Sequence, residues 1–159
     1  MARRQIKTGD SEASTHERIV RFMHRDHPFI IFHTDFAAGL HLPIWLAARQ
    51  KKLQFKRGFP DLFIFHPVGT FKGLALEIKK SGVNLKRLDG EWVSQHIKEQ
   101  FQMLTLLSEQ SYACAFAVGY DEAVDIIDNY LKGISLEFKD FMLINRSGPT
   151  LIHEQEGPF

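Results

Sequence analysis

The stretch from Gly58 to Lys80, GFPDLFIFHPVGTFKGLALEIKK, restricts the fold more than any other part of the chain. It contains two short apolar runs, Leu62 to Phe65 and Leu74 to Ile78, rich in residues that favour strands and separated by Pro67 to Gly73. Paired as a hairpin, they bring Asp61, at the start of the first, close to Glu77, at the end of the second. Side chains alternate along a strand, so Glu77 and Lys79 share one face while Ile78 turns to the other. Two carboxylates and an ammonium are thereby predicted to meet at one end of a strand pair. Carboxylates that close repel unless a cation neutralises them, and hard oxygen ligands suit Mg2+ or Mn2+ better than zinc.

The flanking sequence indicates the partner. Arg49, Lys51, Lys52, Lys56 and Arg57 lie within nine residues without an acid and lead directly into Gly58. Lys80 follows the second run, and Lys86 and Arg87 lie in the polar stretch Ser81 to Ser94. The net charge of +1 conceals an asymmetry. Residues 1–120 hold 17 Lys or Arg against 11 Asp or Glu, a surplus of +6, whereas residues 121–159 hold 3 against 8, or −5. The basic surplus accompanies the acidic pair, as expected if a phosphate backbone binds there.

The other segments supply a scaffold. Ser14 to Glu17 matches a capping box, so a helix is expected to start near Ser14, with Ile19, Val20, Phe22 and Met23 on its apolar face, and to stop before Pro28. Glu17 has two readings, as a cap folded onto the Ser14 amide or as a third carboxylate aimed at the strands. Phe29 to His33 reads as a strand, Ala37 to Lys52 as a helix, and Gln95 to Glu109 as an amphipathic helix with Gln100 on or beside its buried face, where an amide needs a partner. Ala113 to Val118 is a buried strand and Asp121 to Leu131 a last helix. The order is therefore α, β, α, β, β, α, β, α, an α/β domain over residues 14–132. A basic arm, residues 1–13, precedes it, and an extension without assigned role, residues 133–159, follows.

Several classes are set aside. One cysteine, Cys114, permits neither an internal disulfide nor a thiolate zinc site, and the eight histidines show no zinc-ligand spacing and read as surface or turn residues. The polar N-terminus lacks the apolar core of a signal peptide and no run approaches a membrane span, so a soluble intracellular protein is expected.

Pro60-Asp61 with Glu77-Ile78-Lys79 resembles the PD-(D/E)XK nuclease signature. The wider match, from Gly58 to Leu62, Gly73 to Lys79, Glu99-Gln100, Tyr112 to Ala123 and Tyr130-Leu131, resembles the virus-type replication-repair nuclease (VRR-NUC) domain. The resemblance implies a restriction-endonuclease-like core, a central mixed sheet flanked by helices, and a Mg2+- or Mn2+-dependent DNA endonuclease. It implies Asp61, Glu77 and the carbonyl of Ile78 as metal ligands, Glu17 as the acid from the first helix, Lys79 as catalytic lysine and Gln100 as the glutamine on the following helix that supports the site. It further implies a homodimer acting on branched DNA such as four-way junctions. The long Ser81 to Ser94 loop departs from the family pattern. Two other readings stand beside it: a nucleic-acid-binding module that does not turn over, and a structural strand pair in which Lys79 only pairs with Glu77.

Overall fold

The computed structural model describes residues 11–34, 43–53 and 55–134, with the side chains of Ala47, Gln50 and Lys51 excepted. The arm at 1–10, residues 37–42 of the expected second helix and the extension beyond 134 lie outside the described residues. Among the described residues no helix is long and apolar enough to cross a membrane.

The sheet is built on Leu74–Lys79 (β3), the six residues of which are all buried. Leu62–Ile64 (β2) pairs with it antiparallel, in the register Leu62 to Leu76 and Ile64 to Leu74. Ala113–Val118 (β4) pairs on the other side in parallel, Leu74 opposite Ala113 and Lys79 opposite Val118. Phe32–Thr34 (β1) completes the antiparallel edge against β2. The result is a mixed four-stranded sheet of order β1-β2-β3-β4. A parallel pair needs a crossover, which Gln95–Glu109 (α3) supplies between β3 and β4.

Alternation then divides the core into two layers. Leu74, Leu76 and Ile78 face Ile19, Phe22 and Met23 of Glu12–Asp26 (α1) and Ala123, Ile126, Ile127 and Tyr130 of Tyr120–Leu131 (α4). Ala75 on the opposite face packs with Ile97 and Leu104 of α3 and with Cys114 and Phe116 of β4. Both layers are apolar because a sheet covered on both faces has no wet side. Cys114 behaves as a small hydrophobe, and burial pushes its thiol up to about 12. Glu77 and Lys79 belong by alternation to the α3 face.

The expected order of elements is present in full, with shifted ends. α1 starts at Glu12 because Ser11, rather than Ser14, is its N-cap: the Ser11 hydroxyl accepts the Ser14 N–H at 3.2 Å. Ser14 lies inside the helix and donates its own hydroxyl to the Ser11 carbonyl at 2.9 Å, so the Ser14–Glu17 capping box does not form. β1 starts three residues later than expected, since Pro28 and Phe29 form a turn closed by the Ile30 N–H on the His27 carbonyl at 3.0 Å. Ile44–Leu53 (α2) packs against no other helix or strand among the described residues, and its Ile44, Trp45 and Leu53 are exposed.

The Ser81 to Ser94 loop doubles back on itself. Lys86 bridges to Trp92, with the Arg87 N–H on the Glu91 carbonyl at 2.7 Å and the Val93 N–H on that of Leu85 at 3.1 Å. Trp92 packs with its ring centroid 4.6 Å from that of Phe101, tying the loop to α3, and the Lys86 ammonium sits 4.9 Å from the Trp92 ring. Ser94 then caps α3 by accepting the Ile97 N–H at 3.2 Å.

Candidate active site

Pairing between β2 and β3 reaches Leu62 and Leu76, and beyond that register a side chain continues the hydrogen bonding in place of backbone. Asp61 Oδ2 accepts the Ile78 N–H at 2.8 Å, so its carboxylate is fixed at the end of the strand pair. Glu77 follows one step from Leu76 and turns to the α3 face, where its carboxylate lies near enough to that of Asp61 for the two to repel. Lys79 donates to Glu77 Oε1 at 2.7 Å. Gln100, on the buried side of α3, donates its amide to the same oxygen. Four polar side chains thus meet with almost no water around them: Asp61 is 6%, Glu77 1%, Lys79 7% and Gln100 5% exposed.

This arrangement leaves one side of Glu77 incomplete. Oε1 receives two donors and Oε2 none, although it is buried; the Gln100 carbonyl oxygen Oε1 is likewise buried without a partner. Buried acceptors normally find a donor, and a buried carboxylate beside another is costly unless positive charge reaches both. Burial, and next the charge of Asp61, hold the Glu77 carboxyl well above its ordinary value, with Lys79 pulling the other way. A lone ammonium therefore falls short of balancing two carboxylates. A bare carboxylate oxygen on Glu77, beside Asp61, suits a hard divalent cation, so the residues present fit the Mg2+ or Mn2+ expected from them.

The first helix contributes differently from expectation. Glu17 neither caps α1 nor joins the carboxylates: it is exposed, one position round the helix from the inward face. The α1 residues that reach the site are Glu12 and His16, four apart and hence on one face. Glu12 Oε1 lies 3.9 Å from Lys79 Nζ, and His16 Nε2 lies 3.7 Å from Asp61 Oδ2. Ligand atoms of Glu12, His16 and Asp61 all lie within 4.8 Å of one another. The surface or turn position read for His16 is likewise corrected, since its side chain is only 15% exposed. A sequence signal did exist: Ser11-Glu12 caps as readily as Ser14, and Glu12, His16, Ile19 and Met23 then fall on the face turned inward.

Arg49, Lys52, Lys56 and Arg57 are exposed on α2 and the segment after it, as are Lys80, Lys86 and Arg87; the side chain of Lys51 lies outside the described residues. Lys56 and Arg57 border an open groove of about 720 Å³ whose other wall is α3, including Glu99 and Gln102. The next residue, Gly58, runs against the α3 backbone at Glu99 and Gln100 so closely that a Cβ there would lie 2.8 Å from the Gln100 nitrogen. The basic run therefore ends beside the helix that carries Gln100. The Ile78 carbonyl lies on β3 between Glu77 and Lys79.

No protein-family model matches the chain, and no curated protein does. A solved structure described as a VRR_NUC domain protein is similar to it with a TM-score of 0.57 and 24% sequence identity, over 82% of this chain and 99% of that one. The chain, a mixed four-stranded α/β sheet with flanking helices, is similar in fold to that protein.

Proposed function

We propose that the chain is a VRR-NUC-type, divalent-metal-dependent DNA endonuclease that hydrolyses phosphodiester bonds in branched DNA. The observation that supports this best is the Glu77 carboxylate, held by Lys79 and Gln100 through one oxygen and bare on the other, beside Asp61. Asp61, Glu77 and the Ile78 carbonyl would hold the cation. When bound, Mg2+ or Mn2+ would supply Lewis acidity at the phosphate and lower the pKa of the attacking water.

The chain's own residues do the remainder. Gln100 and Lys79 fix the Glu77 rotamer, so the free oxygen keeps one direction. Lys79 places its ammonium where it can orient the water and offset charge developing on the phosphate. The exposed cations Arg49, Lys52, Lys56 and Arg57, with Lys80, Lys86 and Arg87, hold the DNA backbone by charge, which fixes register without reading bases. A second copy of the chain would cover the exposed Ile44, Trp45 and Leu53 of α2, which favours a homodimer.

The test incubates purified protein with four-way junction, flap, single-stranded and linear duplex DNA, with and without Mg2+ or Mn2+. Metal-dependent cleavage, strongest on branched substrates and lost in Lys79→Ala, is expected. Salt-sensitive DNA binding with no cleavage of any substrate would instead make the chain a binding module. Light scattering separates dimer from monomer.

A further inference from the structure

A nitrogen donor stands within an otherwise oxygen-lined site. His16 Nε2 is buried and has no hydrogen-bond partner, and at 3.7 Å from Asp61 Oδ2 it is too distant to bond to it. It belongs to the group formed by Glu12, His16 and Asp61. A second observation points the same way: Glu77, 1% exposed and in electrostatic contact with Asp61, also leaves Oε2 without a donor. Two bare buried donors of different chemistry therefore flank one carboxylate.

We propose that His16, with Glu12 and Asp61, forms an imidazole-containing subsite that makes this centre prefer a first-row transition ion, Mn2+ or Co2+, over Mg2+. The physical reason is ligand softness. Imidazole raises affinity along the Irving–Williams order, whereas Mg2+ favours an all-oxygen shell and surrenders its waters reluctantly. The spacing also serves this end. Glu12 and His16 lie one turn apart on a capped helix, so the nitrogen and the carboxylate reach Asp61 from one rigid element. Oxygen ligands alone, as read from Asp61 and Glu77, give no such preference. The inference rests on the proposed metal site and adds a selectivity determinant to it.

The experiment measures metal affinity without DNA. Full-length protein is titrated with Mn2+, Co2+ and Mg2+ by calorimetry, and nitrogen hyperfine coupling is sought in the electron paramagnetic resonance of the Mn2+ form. His16→Gln, which keeps the side-chain size, is expected to weaken Mn2+ and Co2+ binding by about tenfold or more, with Mg2+ affinity nearly unchanged. Glu17→Gln should change none of the three. Equal losses for Mn2+ and Mg2+, or no loss, would reduce His16 to an ionic neighbour of Asp61 and overturn the proposal. Should His16→Gln fail to fold, the wild-type spectrum decides: coupling lost in Asp61→Asn supports the subsite, and absent coupling refutes it. Metal binding that depends on His16 without DNA cleavage would defeat the nuclease reading and leave this one standing. Cleavage that needs Asp61 and Lys79 but ignores His16 in metal choice would do the reverse.

Discussion

Gly58→Ala tests whether the approach of the basic segment to α3 positions Gln100. Gly58 has φ +81°, a conformation that costs an L-residue about 1–2 kcal/mol. An alanine Cβ would also meet the Gln100 nitrogen at 2.8 Å and its Cα at 2.9 Å, both backbone atoms that no rotamer change can move. Ordinary contact starts at 3.4 Å, so α3 or the loop must retreat by 0.6 Å, the difference between 3.4 and 2.8. Overpacking of that kind costs about 1–3 kcal/mol more. Together these give a loss of about 2–5 kcal/mol, on the order of 10 °C in Tm for a domain of this size. Gln100 donates to Glu77 from this same turn, so the shift should also cost activity, on the order of tenfold, given that 1 Å of misplacement can cost about a hundredfold. Gly69→Ala is the control: at φ +58° with nothing within 4 Å, it should lose about 1–2 kcal/mol and no activity. Thermal melts and single-turnover cleavage measure both. Equal melting temperatures for the two variants, with full activity in Gly58→Ala, would refute the reasoning.

Three further outcomes are expected. In metal-free protein, the folded state binds the Glu77 proton more tightly than the unfolded chain, so the stability from neutral Glu77 is complete below its ordinary value of 4.5 and is lost as pH rises through the raised one. Glu77→Gln escapes that loss, so with chelator its Tm advantage over wild type should widen from pH 4 to pH 8; an advantage independent of pH would contradict the burial argument. Leu76→Ala, at a fully buried position of the central strand, should lose about 2–5 kcal/mol in denaturant melts. Glu12→Ala should weaken Mn2+ binding measurably by calorimetry while Glu17→Ala leaves it unchanged, and the opposite ranking would reverse the assignment on α1.

What could be read from the sequence follows the length and periodicity of the signals. β4 and α3 match expectation to the residue because a six-residue apolar run and a fifteen-residue amphipathic pattern have well-marked ends. Asp61, Glu77 and Lys79 could be brought together because a hairpin is local and strand alternation is strict. Gln100 needed only a helix phase. The start of α1 differs because Ser11 and Ser14 are both competent caps, and the choice between them decides whether Glu12 belongs to the helix. A cap placed three residues late leaves Glu12 outside the helix and Glu17 as the acid of its first turn. The loop from Ser81 to Ser94 appeared polar and open, whereas one aromatic, Trp92, anchors it through contacts with Phe101 and Phe116 that are remote in sequence.

The double donation to Glu77 Oε1 has a consequence for the newly made chain. Its two donors lie on β3 and on α3, and α3 is also the crossover without which β4 cannot pair in parallel beside β3. During synthesis the local hairpin forms first, since loops of few residues close early. At that stage Asp61 and Glu77 are adjacent, and Lys79 on the same strand is the one donor within reach of Glu77. The second brace arrives only with Gln100, when α3 docks and the long-range sheet closes. Assembly of the carboxylate site is thereby tied to completion of the core, so a nascent or partly folded copy holds Glu77 from one side only.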